Sequence, residues 1–240
     1  MPAKAEAAQI ADAARRAWGV EPAARLDVDE VCARLGIEVE ERRLGGGGGI
    51  QALLVPKRSG FKIEVDPEPT RGWPADESIR SALRRHRRRF LLCHELAHTL
   101  FYSYGEAGPE RLVYDSPEQE VFCDELARSL LVPAAVAGAV PFRPRSVVEL
   151  QRRFDVSMEV ATRSVATAQE KGDAWLLLRQ DDAIKVQWTS ATNGRTAKML
   201  ARLRKAIERA AGSTASTARL PTADVLFLAQ RRQAIVTSPA

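Results

Sequence analysis

The sequence predicts an α+β fold: a mainly helical core with a small sheet, then a helix–turn–helix segment and an α/β C-terminal extension. Three observations lead there. Apolar residues recur at helical spacing over most of residues 75–168. In the first third, two short apolar or alternating runs flank KRSG, a hairpin signature. From residue 173 the period becomes that of strands, with WLLLR and IKVQW on either side of QDDA.

Taken in order, residues 3–17 are alanine-rich with helical apolar spacing and predict a helix. Asp27 opens a short helix, DVDEVCARLG, that Gly36 closes, and IEVEER follows as a strand. The five glycines at 45–49 predict a flexible turn; a phosphate cradle would need a Lys-Ser or Lys-Thr after them, and none follows. IQALLVP and FKIEVDP form the hairpin. After Pro67, Pro69 and Pro74 no Gly or Pro interrupts 75–104, so a long helix is expected there, broken by EAGP at 106–109. A second helix follows Pro117 and stops at Pro133. Residues 145–168 hold two apolar-periodic stretches hinged at FDVS, a helix–turn–helix outline. Beyond the strands at 173, RTAKMLARLRKAIERA predicts a basic amphipathic helix, and DVLFLA and AIV predict closing strands. The expected division is 1–135 as core, 136–170 as the helix–turn–helix-like segment and 171–240 as the extension.

Composition narrows the class. The 240 residues are 45% hydrophobic and 28% charged, as in an ordinary globular protein with an adequate core. Cys32, Cys93 and Cys123 are widely spaced and lack any C-x-x-C pairing, which argues against a disulfide framework and fits a reducing compartment. The N-terminus has no continuous apolar stretch, and the longest apolar run, LLVPAAVAGAV, is too short to span a bilayer. The expectation is a cytoplasmic protein with no membrane partner. Net charge is +5, concentrated at 84–89 as RRHRRR. Five arginines within two turns predict a solvated helix face, with a phosphate-contacting surface (weak, non-specific nucleic-acid contact) or a partner-docking surface as the sharper readings.

The chemistry lies in FLLCHELAHTL, residues 90–100, which holds two of the chain's three histidines. On a helix, positions four apart differ by about 40° and roughly 6 Å along the axis, so His94 and His98 can aim both imidazoles at one ion. Glu95, about 100° round, lies beside the remaining coordination space. The pattern supplies two neutral nitrogen ligands and a carboxylate able to take a proton from water on the ion. A catalytic zinc needs a third protein ligand. His86, eight residues back and about 12 Å along the helix, cannot reach, and Cys93 points to another face and reads as core. An acid from the 117–133 helix is the economical choice among Glu118, Glu120, Asp124 and Glu125. Glu120 and Asp124 lie one turn apart, so a Glu could ligate while the Asp holds a His by its other nitrogen.

RRRFLLCHELAHTLF followed by EVFCDELARSLLVP resembles the ImmA/IrrE-type metallopeptidases. Their pattern is Phe-x-x-x-His-Glu-x-x-His, then Glu-x-x-x-Asn/Asp ending in Leu-Leu-Met-Pro. Measured back from Pro133, Asp124 falls on the Asn/Asp position and Glu120 on the Glu that serves as third ligand. Cys123, Leu126 and Phe122 depart from the usual Ala, Phe and second acid, and none removes a group the mechanism needs. The likeness covers about 27–165, and it implies a zincin-like core. It further implies a zinc endopeptidase, with manganese as a substitute ion, in which His94, His98 and Glu120 hold the metal, Asp124 supports a ligand and Glu95 is the general base. The implied substrates are helix–turn–helix repressors of stress genes or mobile elements. Tyr102 and Tyr114 are candidate transition-state stabilisers, with packing as the plainer role. The alternative is a metal-binding, DNA-associated regulator without protease activity.

Overall fold

The computed structural model describes residues 2–45, 50–67, 77–113, 116–169, 173–180, 183–191, 195–197, 199–200, 215–220, 223–228 and 233–238. The architecture is mixed α+β. The chain divides into two compact units, Met1–Pro133 with Phe154–Ser157, and Ala134–Arg153 with Met158–Ala240.

The first unit begins with α1 (Pro2–Ala17) and α2 (Val28–Arg34), whose N-cap Asp27 accepts a hydrogen bond from the Glu30 amide at 3.2 Å. Three strands follow: β1 (Glu38–Glu41), β2 (Ala52–Lys57) and β3 (Gly60–Val65), in the order β1-β3-β2. β3 pairs antiparallel with β2, closing the hairpin at Lys57 and Gly60, and parallel with β1. Phe61, Ile63 and Val65 alternate inward from the central strand and are buried, while Lys62 pairs with Glu40 and Glu64 on the other face. The glycine run lies at 45–49, of which only Gly45 is among the described residues.

Next come α3 (Glu77–His98), a 3₁₀ turn at Thr99–Phe101, the hairpin β4 (Tyr102–Gly105) and β5 (Gly108–Arg111), and α4 (Pro117–Leu131). α3 stops at His98, short of the expected 104. Tyr102 and Tyr104 turn edge-on to Phe61, with centroids 5.1 and 5.7 Å away, and the glycines on either side of Glu106-Ala107 let the chain fold back. Packing on the sheet thus outweighs helix continuation, and EAGP supplies a hairpin turn instead of a helix stop. α4 starts where Ser116 accepts from the Gln119 amide, with Pro117 in its first turn.

Three helices share the core. Ala7 and Ala11 of α1, Leu92, Cys93, Leu96 and Ala97 of α3, and Cys123, Leu126, Ala127, Leu130 and Leu131 of α4 are all buried. Small residues let α1 lie close along α4. Buried Arg15 donates to the carbonyls of Leu130, Glu21 and Ala24, tying the C-terminal ends of the two helices together.

The arginine run departs in part from a solvated face: Arg85 is exposed, but its charges are paired. Arg85 chelates Asp155 through Nε and Nη2 at 2.7 and 2.8 Å, and Arg88 holds Asp29 through two bonds of 2.7 Å. Arg89 is buried and donates to the carbonyls of Leu26, Phe154 and Asp155. His86, also buried, meets Asp155 at 3.0 Å. Leu26, Asp29, Phe154 and Asp155, which absorb this charge, lie more than fifty residues away in sequence, which local charge patterning cannot reveal.

The second unit contains α5 (Ala134–Ala139), α6 (Pro144–Phe154) up to Arg153 and α7 (Met158–Gln169). Its sheet is antiparallel, ordered β7-β6-β10-β9-β8, from β6 (Asp173–Gln180), β7 (Ala183–Thr189), β8 (Ala215–Leu220), β9 (Ala223–Leu228) and β10 (Gln233–Ser238). β8, ASTARL, has no counterpart in the sequence expectation, because small and polar residues give a weak strand signal. Of the basic segment 195–210, residues 195–197 and 199–200 are helical and the remainder lies outside the described residues. Trp175 is buried and donates to Thr196 Oγ1 at 3.1 Å, so the helical start is tied to β6.

Candidate metal centre

The end of α3 and the first half of α4 run side by side, and their facing turns bring the ionisable residues together. One ligand atom each from His94, His98 and Glu120 lies within 4.8 Å of the others. The two Nε2 atoms are 3.1 Å apart, Glu120 Oε2 is 3.2 Å from His94 Nε2, and Glu120 Oε1 is 3.4 Å from His98 Nε2. Ligands at about 2.0–2.1 Å from a tetrahedral zinc are separated by roughly 3.3 Å, so this donor set has the span such an ion requires.

Asp124 fixes the tautomer. Its Oδ1 lies 3.0 Å from His94 Nδ1, so with the proton on Nδ1 the Nε2 lone pair faces Glu120 and His98. Burial works against a charged His94. The Asp124 bond and the carboxylates of Glu95, Asp124 and Glu120 outweigh it, so the imidazole pKa is raised.

Glu95 is buried, and burial pushes its carboxyl up to about 7, against the opposing pull of His94 and a hydrogen bond from the Leu54 backbone. Leu54 belongs to β2, an outer strand of its sheet. A strand-edge amide therefore orients the Glu95 carboxylate. The sequence reading missed this contact, since nothing in a hairpin signature says which helix its edge will meet.

The other named residues have different surroundings. Glu118 is exposed, and Glu125 is buried and ion-paired with Arg128. Tyr102 begins β4 and carries the Arg111 guanidinium 5.8 Å above its ring, besides its edge contact with Phe61. Tyr114 lies outside the described residues. Cys123, fully buried beside this cluster, has its thiol pushed up to about 12 by burial and then by Glu120, which keeps it protonated and packed. Phe90 and Phe101 flank the histidines, with ring centroids 6.3 Å from His94 and from His98 respectively.

Among the described residues no helix is long and apolar enough to cross a membrane. No curated protein matches the chain. Residues 78–165 match the Peptidase M78 family model, described as the IrrE N-terminal-like domain. The match begins inside α3, so the resemblance read over 27–77 lies outside it. The matched stretch carries His94, Glu95, His98, Glu120 and Asp124, and it supports the likeness to the ImmA/IrrE-type family.

Proposed function

We propose that this protein is a zinc-dependent endopeptidase. The observation that carries the reading is the convergence of His94, His98 and Glu120 with a buried carboxylate, Glu95, next to them in sequence. His94, His98 and Glu120 would hold the ion, with manganese as a substitute. A divalent cation there would polarise the scissile carbonyl and make water easier to deprotonate. Asp124 keeps the His94 lone pair aimed at the ion.

Glu95 takes the proton from the attacking water and returns it to the leaving amine, at a pKa near neutral that suits both transfers. A cation alongside would lower that pKa and favour the base form. The Leu54 backbone hydrogen bond favours the ionised, base form of the carboxylate. Tyr102 is placed to pack against Phe61 and Arg111. That arrangement supports its plainer role over transition-state stabilisation.

The substrate class we propose is a helix–turn–helix transcriptional repressor, cut in a stress or mobile-element response in the cytoplasm. The match to the family model over 78–165 supports this. The rival reading, a metal-binding regulator docked on DNA, would draw on the arginines at 84–89. The engagement of Arg85, Arg88 and Arg89 with acids and carbonyls of the fold weighs toward weak, non-specific nucleic-acid contact.

The deciding experiment compares two variants in one assay of repressor cleavage. Glu95→Gln should retain metal and fold yet lose at least about 10²–10⁴-fold in rate, as for a missing general base. His94→Ala should lose both metal and activity. Full cleavage by metal-loaded Glu95→Gln would sink the endopeptidase reading.

A further inference from the structure

Four of the five arginines at 84–89 meet acids or carbonyls of the fold. Arg84 lies 3.8 Å from Glu77, Arg85 chelates Asp155, Arg88 holds Asp29 and Glu41, and Arg89 reaches the carbonyls of Leu26 and Phe154. Arg87 differs. Among the described residues it makes no hydrogen bond or ion pair, although its Nε is buried away from water. Burial holds its guanidinium below the ordinary pKa, and the charge of Asp66 offsets only part of that effect. The residue as a whole is half-buried, so the terminal nitrogens of the fork keep access to solvent. A guanidinium that has lost part of its hydration and gained no acid in return is a binding group without its partner.

Helical geometry says where such a partner would sit. Arg87 precedes His94 by seven residues on α3, so the two lie within about 20° of one another and about 10 Å apart along the axis. His98, eleven residues on, falls within about 20° of the same line. Arg85 and Arg89, about 160° round, serve the far side of the helix. Arg87 thus shares the stripe of α3 that carries both histidines of the candidate metal centre.

We propose that Arg87 recognises a carboxylate of the bound substrate, about three residues from the bond to be cut. The inference rests on the endopeptidase reading and adds a charge preference to it. An extended peptide advances about 3.3 Å per residue, so three residues cover the distance from the ion to Arg87. Carboxylates are the anions that a peptide offers, as Asp and Glu side chains or as its C-terminus. The guanidinium fork meets both carboxylate oxygens with parallel N–H bonds. Part of the desolvation has already occurred in the fold, so the incoming acid gains more than it would at an open surface arginine. Arg87 stands too far from His94 to touch the reacting atoms, which makes it a specificity-determining residue. An Asp or Glu at that place should raise kcat/KM by roughly 10–100-fold over Asn or Gln.

The test uses the full-length, zinc-loaded protein and amidated peptides in which Glu and Gln are exchanged at each position around the cleaved bond. Glu about three residues from the bond should be preferred by that margin. The preference should fall below about 3-fold in Arg87→Gln, with zinc affinity unchanged in a chelator titration. Arg87→Lys, which keeps the charge without the fork, should hold an intermediate preference. Arg87→Glu should turn the preference toward Lys at the same position, which a merely structural role would not do. Peptides that end at that position, with a free carboxylate or an amide, separate the two sources. Discrimination between them that Arg87→Gln removes would assign the chain end as the carboxylate read. Absence of any acid preference, or one that survives Arg87→Gln, would overturn the inference and leave the peptidase reading standing. An Arg87→Gln protein that is less stable and equally slower on Glu and Gln peptides would overturn it too. So would weaker binding of duplex DNA with the peptide preference unmoved. Failure of the zinc-loaded wild type to cut any peptide would remove both readings.

Discussion

Asp124 Oδ1 stands 3.0 Å from Nδ1 of His94, on the side of the ring opposite Glu120. The carboxylate thus sets which nitrogen of the imidazole can accept an ion. Asp124→Ala should lower zinc affinity by about 10–100-fold with little change in stability, since its side chain is 42% exposed. Competition with a chromophoric chelator measures this directly. Unchanged affinity would mean that His94 is oriented by its packing alone.

Substitution of the neighbouring acids should separate ligand from bystander. Glu120→Ala should weaken zinc binding at least as much as Asp124→Ala, because it removes one of the clustered donor atoms. Glu118→Ala should leave it untouched. Glu125→Ala should cost stability through the loss of its buried pair with Arg128, and leave zinc affinity alone. A zinc defect in Glu118→Ala would refute the assignment on α4.

Asp155 sits in the turn after α6 at φ 51°, held by Arg85, His86 and Arg89. These partners, Arg85 first, hold its carboxyl well below the usual carboxylate range. A depressed folded-state pKa contributes stability that is fully present above the unfolded value of about 3.9 and is lost as pH falls through the lower folded value. Asp155→Ala should destabilise the protein by about 3 kcal/mol at neutral pH. The difference from wild type should shrink below pH ~4 in urea titrations. A gap that stays constant down to pH ~2 would mean the ion pairs contribute nothing.

Gly108 has φ +114°, and a Cβ there would come within 3.1 Å of the Arg58 backbone. Gly108→Ala combines a strained backbone with a collision against atoms that cannot swing aside. A loss of about 1–3 kcal/mol is expected, read as a lower thermal midpoint, with zinc affinity retained.

The basic run allows a quantitative check on nucleic acid. With Arg89 buried and Arg85 and Arg88 paired with acids, fewer cations of this run are available to displace counterions. The slope of log K against log salt for duplex DNA should be about −2 or shallower. A slope near −5 would show that the arginines leave their acids to bind phosphate, and would revive the regulator reading.

The residues of the candidate site were legible because helical spacing ties His94 to His98 and Glu120 to Asp124 within single helices. What brought the helices face to face could be read only through the family resemblance. Leu54 and Glu95 meet across forty residues, and Phe101 meets Phe122 only because α3 ends in a 3₁₀ turn. That ending depends on Tyr102 and Tyr104 packing against Phe61, a tertiary effect which outweighed an unbroken helical pattern. The arginine run misled for the same reason. Its pattern is that of a surface, where Arg85 does lie, but Arg85, Arg88 and Arg89 find carbonyls and carboxylates from distant parts of the chain.

The return of Phe154–Ser157 to the first unit has a consequence for how the protein can be divided. The chain leaves that unit at Pro133, contributes twenty residues to the second, comes back for four, and departs again. A fragment ending at 133 would lack Asp155 and the Phe154 carbonyl, removing an acid that Arg85, His86 and Arg89 share on one stretch of helix. The helix that carries His94 and His98 is therefore completed by a segment encoded downstream of α4. Genetic truncation between the units would therefore take partners from α3 while leaving His94, His98 and Glu120 in the chain.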